Sequence, residues 1–204
     1  MITFVVSYYR FEIIKLRVKT KIKMDKSTLD NLIEASKRND ANSFRKIVES
    51  YQAMIYSLAF RLMCDDEEAK DVVQETFIRV WTNLQAYKAD KKFSTWIYAI
   101  ATNLSLDKLK STKRNIQKNS VDETLCNLVS SENIEQRLIN SELAGIILEL
   151  TNTLTPKQKI VFTLRYLEDL EVEEIIQITG MNAGKIKSNL FLARQAIRQK
   201  LEKY

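Results

Sequence analysis

The chain has 204 residues, 45% of them apolar, a net charge of +6, three glycines, one proline and no histidine. So little turn material argues against a sheet-rich fold and for an all-helical one. The missing histidine removes the commonest general base and the commonest metal ligand, so neither metal nor cofactor is expected. The cationic excess favours an anionic partner. Cys64 and Cys126 lack any Cys-x-x-Cys neighbour and read as free thiols of a reducing cytosol. No apolar run approaches the ~18 residues needed to cross a membrane.

Residues 1–23 alternate Ile14, Leu16, Val18 and Ile22 with Lys15, Arg17, Lys19, Lys21 and Lys23, a strand-like period with no partner strand. They are expected to be a disordered basic leader, or untranslated if synthesis begins at Met24. Helical grammar starts at Ser27, which reads as the cap of a short helix ending near Asn39. Asp40 then caps a longer helix with Phe44, Ile47, Val48, Tyr51, Ile55, Leu58, Ala59 and Leu62 on one face. Cys64-Asp65-Asp66 breaks it, and the acids suit the start of the next helix. That helix, about 67–84, is expected to bury Val73, Phe77, Val80 and Trp81. Its other face carries Asp71, Gln74, Glu75 and Arg79. This face is either solvated or a docking surface for a basic partner.

Residues 87–92 form a polar, basic connection. A further helix starts at Phe93-Ser94-Thr95-Trp96 and runs through Ile97, Ile100, Ala101, Leu104 and Leu109 to a basic end. Phe93, Trp96 and Tyr98 lie where they could stack on unpaired bases, although Trp96 fits a core stripe better. Residues 111–134 are polar and weakly periodic, hence a linker, and helix resumes around Ile134 to Leu150.

Thr155-Pro156-Lys157-Gln158 carries an N-cap, a proline at the first helical position and a capping box. Apolar positions Ile160, Val161, Leu164 and Leu167 follow. A short helix closes at Gly180, and a last one from about Asn182 carries the stripe Ile186, Leu190, Ala193, Ile197 and Leu201. Two helices joined by a glycine turn, the second basic, read as a helix-turn-helix. On a 3.6-residue period Ser188 lies opposite the stripe, flanked by Lys185, Lys187, Phe191 and Leu192, all able to reach a major groove. Arg194 and Arg198 lie farther along, suited to phosphates. The fold class is therefore all-α: two small helical domains joined by a flexible linker. The expected boundaries are 1–23, 24–112, 113–134 and 135–204.

Asp66 to Trp81 (DEEAKDVVQETFIRVW) resembles the most specific motif of extracytoplasmic-function sigma factors, and Phe93-Ser94-Thr95-Trp96-Ile97 with Ile100-Ala101-Thr102-Asn103 and Asp107 resembles the segment after it. Leu154-Thr155-Pro156 and Gly184-Lys185-Ile186-Lys187-Ser188 resemble the family's C-terminal signature. The resemblance implies a non-catalytic promoter-recognition subunit of bacterial RNA polymerase. It implies that Asp71, Gln74, Glu75 and Arg79 dock on core polymerase. It further implies that the connection with Lys88, Lys91, Lys92 and Phe93, and the helix with Asn103, Asp107 and Lys110, hold an unpaired base of the minus-ten element. The linker would thread the polymerase, the last helix would read the minus-thirty-five element, and a separate anti-sigma protein would be the regulator. Four residues depart from the family's habit: Ile176 for a small residue, Lys185 for threonine, and Asn189 and Leu192 for arginines. Base preferences therefore do not carry over. The rival readings are a one-component repressor and a helical nucleic-acid enzyme. The latter lacks a Gly-rich phosphate loop and clustered metal-ligand carboxylates.

Overall fold

The computed structural model describes residues 24–90, 92–118, 145 and 147–201, and every regular element among them is helical. The leader at 1–23, Lys91, Cys126 and most of the linker lie outside the described residues. The first helix, α1, spans Lys26–Lys37 and is capped by Asp25, whose carboxylate accepts the Thr28 N–H at 3.1 Å. Ser27, expected as the cap, instead lies inside the first turn. α2 spans Ala41–Met63 and is capped by Asp40 as expected, with the Asn42 N–H at 3.0 Å. Hydrogen bonds from Ser43 and Asn42 hold the exposed Asp40 carboxyl below the usual carboxylate range. α2 stops at Cys64, which turns left-handed at φ 56° while its N–H still bonds Phe60.

α3 spans Asp66–Asn83 behind an Asp65 cap, with Asp66, Glu67 and Glu68 in its first turn, where the helix dipole favours anions. Its buried positions are Ala69, Val72, Thr76, Phe77 and Val80. The expected stripe is thus rotated: Val73 and Trp81 are only half-buried, at the edge of the core. A 3-10 turn over Leu84–Ala86 leads to the connection. α4 then spans Phe93–Lys118, past the expected linker start at 113.

In the second module, residues 147–151 are helical, and α5 spans Pro156–Phe162 with the Thr155–Gln158 capping box formed. An unanticipated π turn over Thr163–Leu167 continues it and widens the helix before Asp169. α6 spans Val172–Thr179 and ends at Gly180, whose φ of 67° an L side chain adopts only with strain. α7 spans Ala183–Leu201, with Asn182 accepting the Lys185 N–H at 2.8 Å.

The two modules share one apolar core. Ile47, Tyr51, Ile55, Leu58 and Leu62 of α2 meet Phe77 and Val80 of α3 and Ile97 and Ala101 of α4. Ile160, Leu164, Ile175, Ile178, Ile186 and Leu190 of the second module belong to the same cluster. Burial pushes the Tyr51 hydroxyl up to about 12. Because Phe77 fills this cluster, Phe77→Ala should cost about 3–5 kcal/mol through the cavity it leaves. A urea titration followed by circular dichroism measures it, and a loss under ~1 kcal/mol would mean that the ring is not a core member.

Candidate nucleic-acid interface

α7 is anchored by Ile186, Leu190, Ala193 and Ile197, all buried. The rest of its circumference faces solvent. Lys185, Ser188 and Leu192 form one exposed strip, and Lys187, Phe191, Arg194 and Arg198 the adjacent one. Phe191 is 59% exposed and Leu192 43%, unusual for such large apolar groups on a helix with an available core. Asn189 donates from its side-chain amide to the Lys185 carbonyl at 2.7 Å, so it is turned back on its own helix. Lys200 is likewise engaged, reaching Asn152 at 3.0 Å and the Glu149 carbonyl. Lys185, Lys187 and Arg194 give the exposed face its cations, with Arg198 exposed farther along. Such a surface can hold phosphates by charge and read base edges with short or apolar side chains.

The connection before α4 presents Lys88 and Lys92 to solvent. Phe93 does not join them. At 3% exposure it lies edge-on to Tyr51 and Tyr87, with ring centroids 5.4 and 5.1 Å away, and beside Trp96. The Phe93 ring braces the connection from beneath, in place of the exposed position expected of a base contact. Tyr98 is also buried, so neither ring is a stacking platform. Asn103 and Asp107, one turn apart, are exposed on the same face of α4, and Lys110 pairs with Asp107 at 3.6 Å.

On α3, Asp71, Gln74 and Arg79 are exposed and Glu75 is half-exposed. The acids already have partners: Glu75 accepts from Arg79 at 2.8 Å, and Asp71 lies 3.5 Å from Lys108, which also bonds Glu68. Ile78, 57% exposed, stands among them. It was missed in the sequence, although its position off the Val72–Phe77–Val80 stripe was the available signal.

A sigma-70 region 2 family model matches residues 47–115, and a sigma-70 region 4 model matches 144–197. The ECF RNA polymerase sigma factor SigW of Bacillus subtilis is 32% identical over 176 residues, covering 83% of this chain and 94% of its own. The chain belongs to the extracytoplasmic-function sigma factors. The ECF RNA polymerase sigma-E factor of Escherichia coli (strain K12) is 31% identical over 178 residues, covering 84% of this chain and 93% of its own. Among solved structures, CnrH in complex with the cytosolic domain of CnrY matches at TM-score 0.60 and 17% identity, over 86% of this chain and 98% of that one. The sigma factor RpoE in complex with the anti-sigma factor NepR from Bartonella quintana matches at 0.57 and 18%, over 79% and 98%. At these identities the structures speak for the fold alone. A sigma factor directs RNA polymerase to promoters and is not an enzyme, and this overturns the rival reading as a one-component repressor.

The α7 geometry makes a prediction that separates charge from sequence readout. Lys187→Glu should weaken promoter occupancy and flatten its logarithmic salt dependence, by about one counterion for the lost lysine and more for the added charge. Ser188→Ala should shift preference among upstream elements at nearly constant slope. Fluorescence anisotropy of promoter DNA with holoenzyme over a salt series checks both, and an unchanged slope in Lys187→Glu would remove this face from the interface.

Proposed function

We propose that this sigma factor divides its work between two surfaces of the first module and one of the second. Asp71, Gln74, Glu75 and Arg79 of α3, with Ile78 as an apolar anchor, bind a basic helical surface of core polymerase. The connection with Lys88, Lys91 and Lys92, braced by Phe93, and the α4 face with Asn103, Asp107 and Lys110 hold an unpaired base of the minus-ten element. α7 reads the minus-thirty-five element through Lys185, Lys187, Ser188, Phe191 and Leu192, with Arg194 and Arg198 on phosphates. The protein works in the cytoplasm, with promoter DNA and core polymerase as partners.

One observation carries this reading. The exposed faces of α3, α4 and α7 each hold polar or charged groups of the kind their task needs, while the apolar stripes of the same helices are buried. Chemically, a protein site that captures a base leaving the stack offsets a few kcal/mol of unstacking and so biases the duplex towards opening. The cations follow the backbone and carry no sequence information. Regulation by an anti-sigma protein fits the Bartonella quintana neighbour, which is bound to one.

Run-off transcription with core polymerase tests the whole reading. The wild-type chain should support promoter-dependent transcripts. Asp71→Lys and Glu75→Lys should weaken core binding by about tenfold or more, with helix content preserved because neither residue is on the buried stripe. Wild-type affinity for core in both variants would remove α3 as the docking face.

A further inference from the structure

Between α2 and α5, the Lys159 ammonium lies 3.7 Å from the Cys64 sulfur, and both residues are buried, at 7% and 2% exposure. The thiol in turn donates to the Arg61 carbonyl at 3.8 Å. Cys64 shares its apolar cluster with Phe60, Val72, Leu104, Ile147 and Leu167. Among the described residues no carboxylate pairs with Lys159, whose ammonium donates to the thiol instead. A lysine is almost never fully buried without a counter-charge, because desolvating an ammonium is costly. Cys64 carries a cost of its own, since it ends α2 at φ 56°, where glycine or asparagine is the usual residue. Packing alone explains neither choice. An apolar chain at 159 and a glycine at 64 would avoid both costs.

We propose that Cys64 and Lys159 are a redox-responsive pair, which hydrogen peroxide joins through a sulfur–nitrogen bond between the two modules. Apolar burial alone leaves a thiol inert, whereas a neighbouring ammonium favours the thiolate, the form that attacks peroxide. The sulfur takes one peroxide oxygen, the O–O bond breaks, and Cys64 becomes a sulfenic acid. The departing hydroxide takes a proton from the Lys159 ammonium and leaves as water. Lys159 is then a neutral amine beside an electrophilic sulfur. Its lone pair attacks that sulfur, the S–O bond breaks, and the hydroxyl leaves with an amine proton as a second water. Sulfur is oxidised by two electrons, and the peroxide is reduced by the same two. The flexible four-carbon stem of the lysine lets the two atoms draw together. Two molecules of a thiol reductant return the thiol and the amine and leave as a disulfide. Peroxide is little larger than water, so local opening of the seam admits it.

The bond would join residues 95 positions apart, one in each module. A sigma factor tied in this way loses the freedom to adjust the spacing of its modules to polymerase and promoter.

The test uses the full chain carrying Cys126→Ser, which leaves Cys64 as its one thiol. After peroxide and then catalase, the intact mass should fall by two hydrogens. A digest should yield the Cys64 peptide joined to the Lys159 peptide, and dithiothreitol should separate them. Run-off transcription should be lost in proportion to the joined fraction and recover with the reductant. Lys159→Arg keeps the cation and removes the nucleophile, so its Cys64 should gain oxygen with no joined peptide. Oxidation that leaves Cys64 and Lys159 in separate peptides overturns the pair, and so does a Cys64–Cys126 disulfide as the product in the unsubstituted chain. Full transcription by the joined form overturns the switch. The peptide map needs no variant at the seam, so it decides the matter even where Lys159→Arg folds poorly.

Discussion

Six successive residues of α2, Ser57 to Leu62, are all buried, so this part of the helix is enclosed on every side. A helix apolar on one stripe needs one neighbour; a helix enclosed all round needs neighbours on every face. α3 and α4 cover part of it, and the π turn and α5 of the second module cover the rest. Arg61 sits inside that enclosed run. Its charge must be answered from the covering module, and Glu168 answers it. This pairing and the shared apolar cluster together fix how the two modules meet. Glu168 itself is under strain in the electrostatic sense: burial raises its carboxyl above the usual range, against the downward pull of Arg61 and Tyr98. The pair therefore fixes geometry more than it adds stability, which is the usual balance for buried ion pairs.

The features legible in the sequence were the local ones. Asp40, Thr155, Gln158, Gly180 and Asn182 act as the caps or stops their chemistry suggests, because capping is settled within four residues. The α7 stripe was also legible, since a basic helix with one continuous apolar line leaves a single way to sit. The burial of Phe93 was not legible, because an aromatic beside lysines reads the same whether it faces a base or a core. The deciding neighbours, Tyr51 and Tyr87, come from elsewhere in the chain. Val73 and Trp81 were misjudged for a related reason. α3 packs against both α2 and α4, so its buried arc is centred on Val72 and Thr76 between them, and not on the most apolar side chains. The Arg61–Glu168 pair was beyond reach, being 107 residues apart with the acid in what reads as a solvent turn.

The α3 face combines paired charges with one exposed apolar group. Its acids rest on Arg79 and Lys108, in exposed pairs worth roughly 0–1 kcal/mol each. Exchanging such a pair for one with a partner's cation costs little, so the surface stays available. Ile78 at its centre supplies contact area that charge alone does not. In the docking role proposed for this face, a partner would have to match both an apolar spot and a ring of charge, which is more selective than either.

α7 presents the same combination with cations in place of the acids. Lysines and arginines alone would bind any duplex, because phosphates are the same everywhere. Phe191 and Leu192, exposed between those cations, cannot gain from phosphate. An apolar side chain in a major groove instead discriminates by contact with the thymine methyl group and by exclusion of polar base edges. With Asn189 folded back on the Lys185 carbonyl, the polar readers left at the front of α7 are Lys185, Lys187 and Ser188. On the assignment of α7 to DNA proposed above, readout would lean on shape and methyl contact around a short hydroxyl, where arginines at 189 and 192 would lean on guanine. On that assignment, the substitutions that prevent a base preference from being copied from the family are the same ones that would give this face its own.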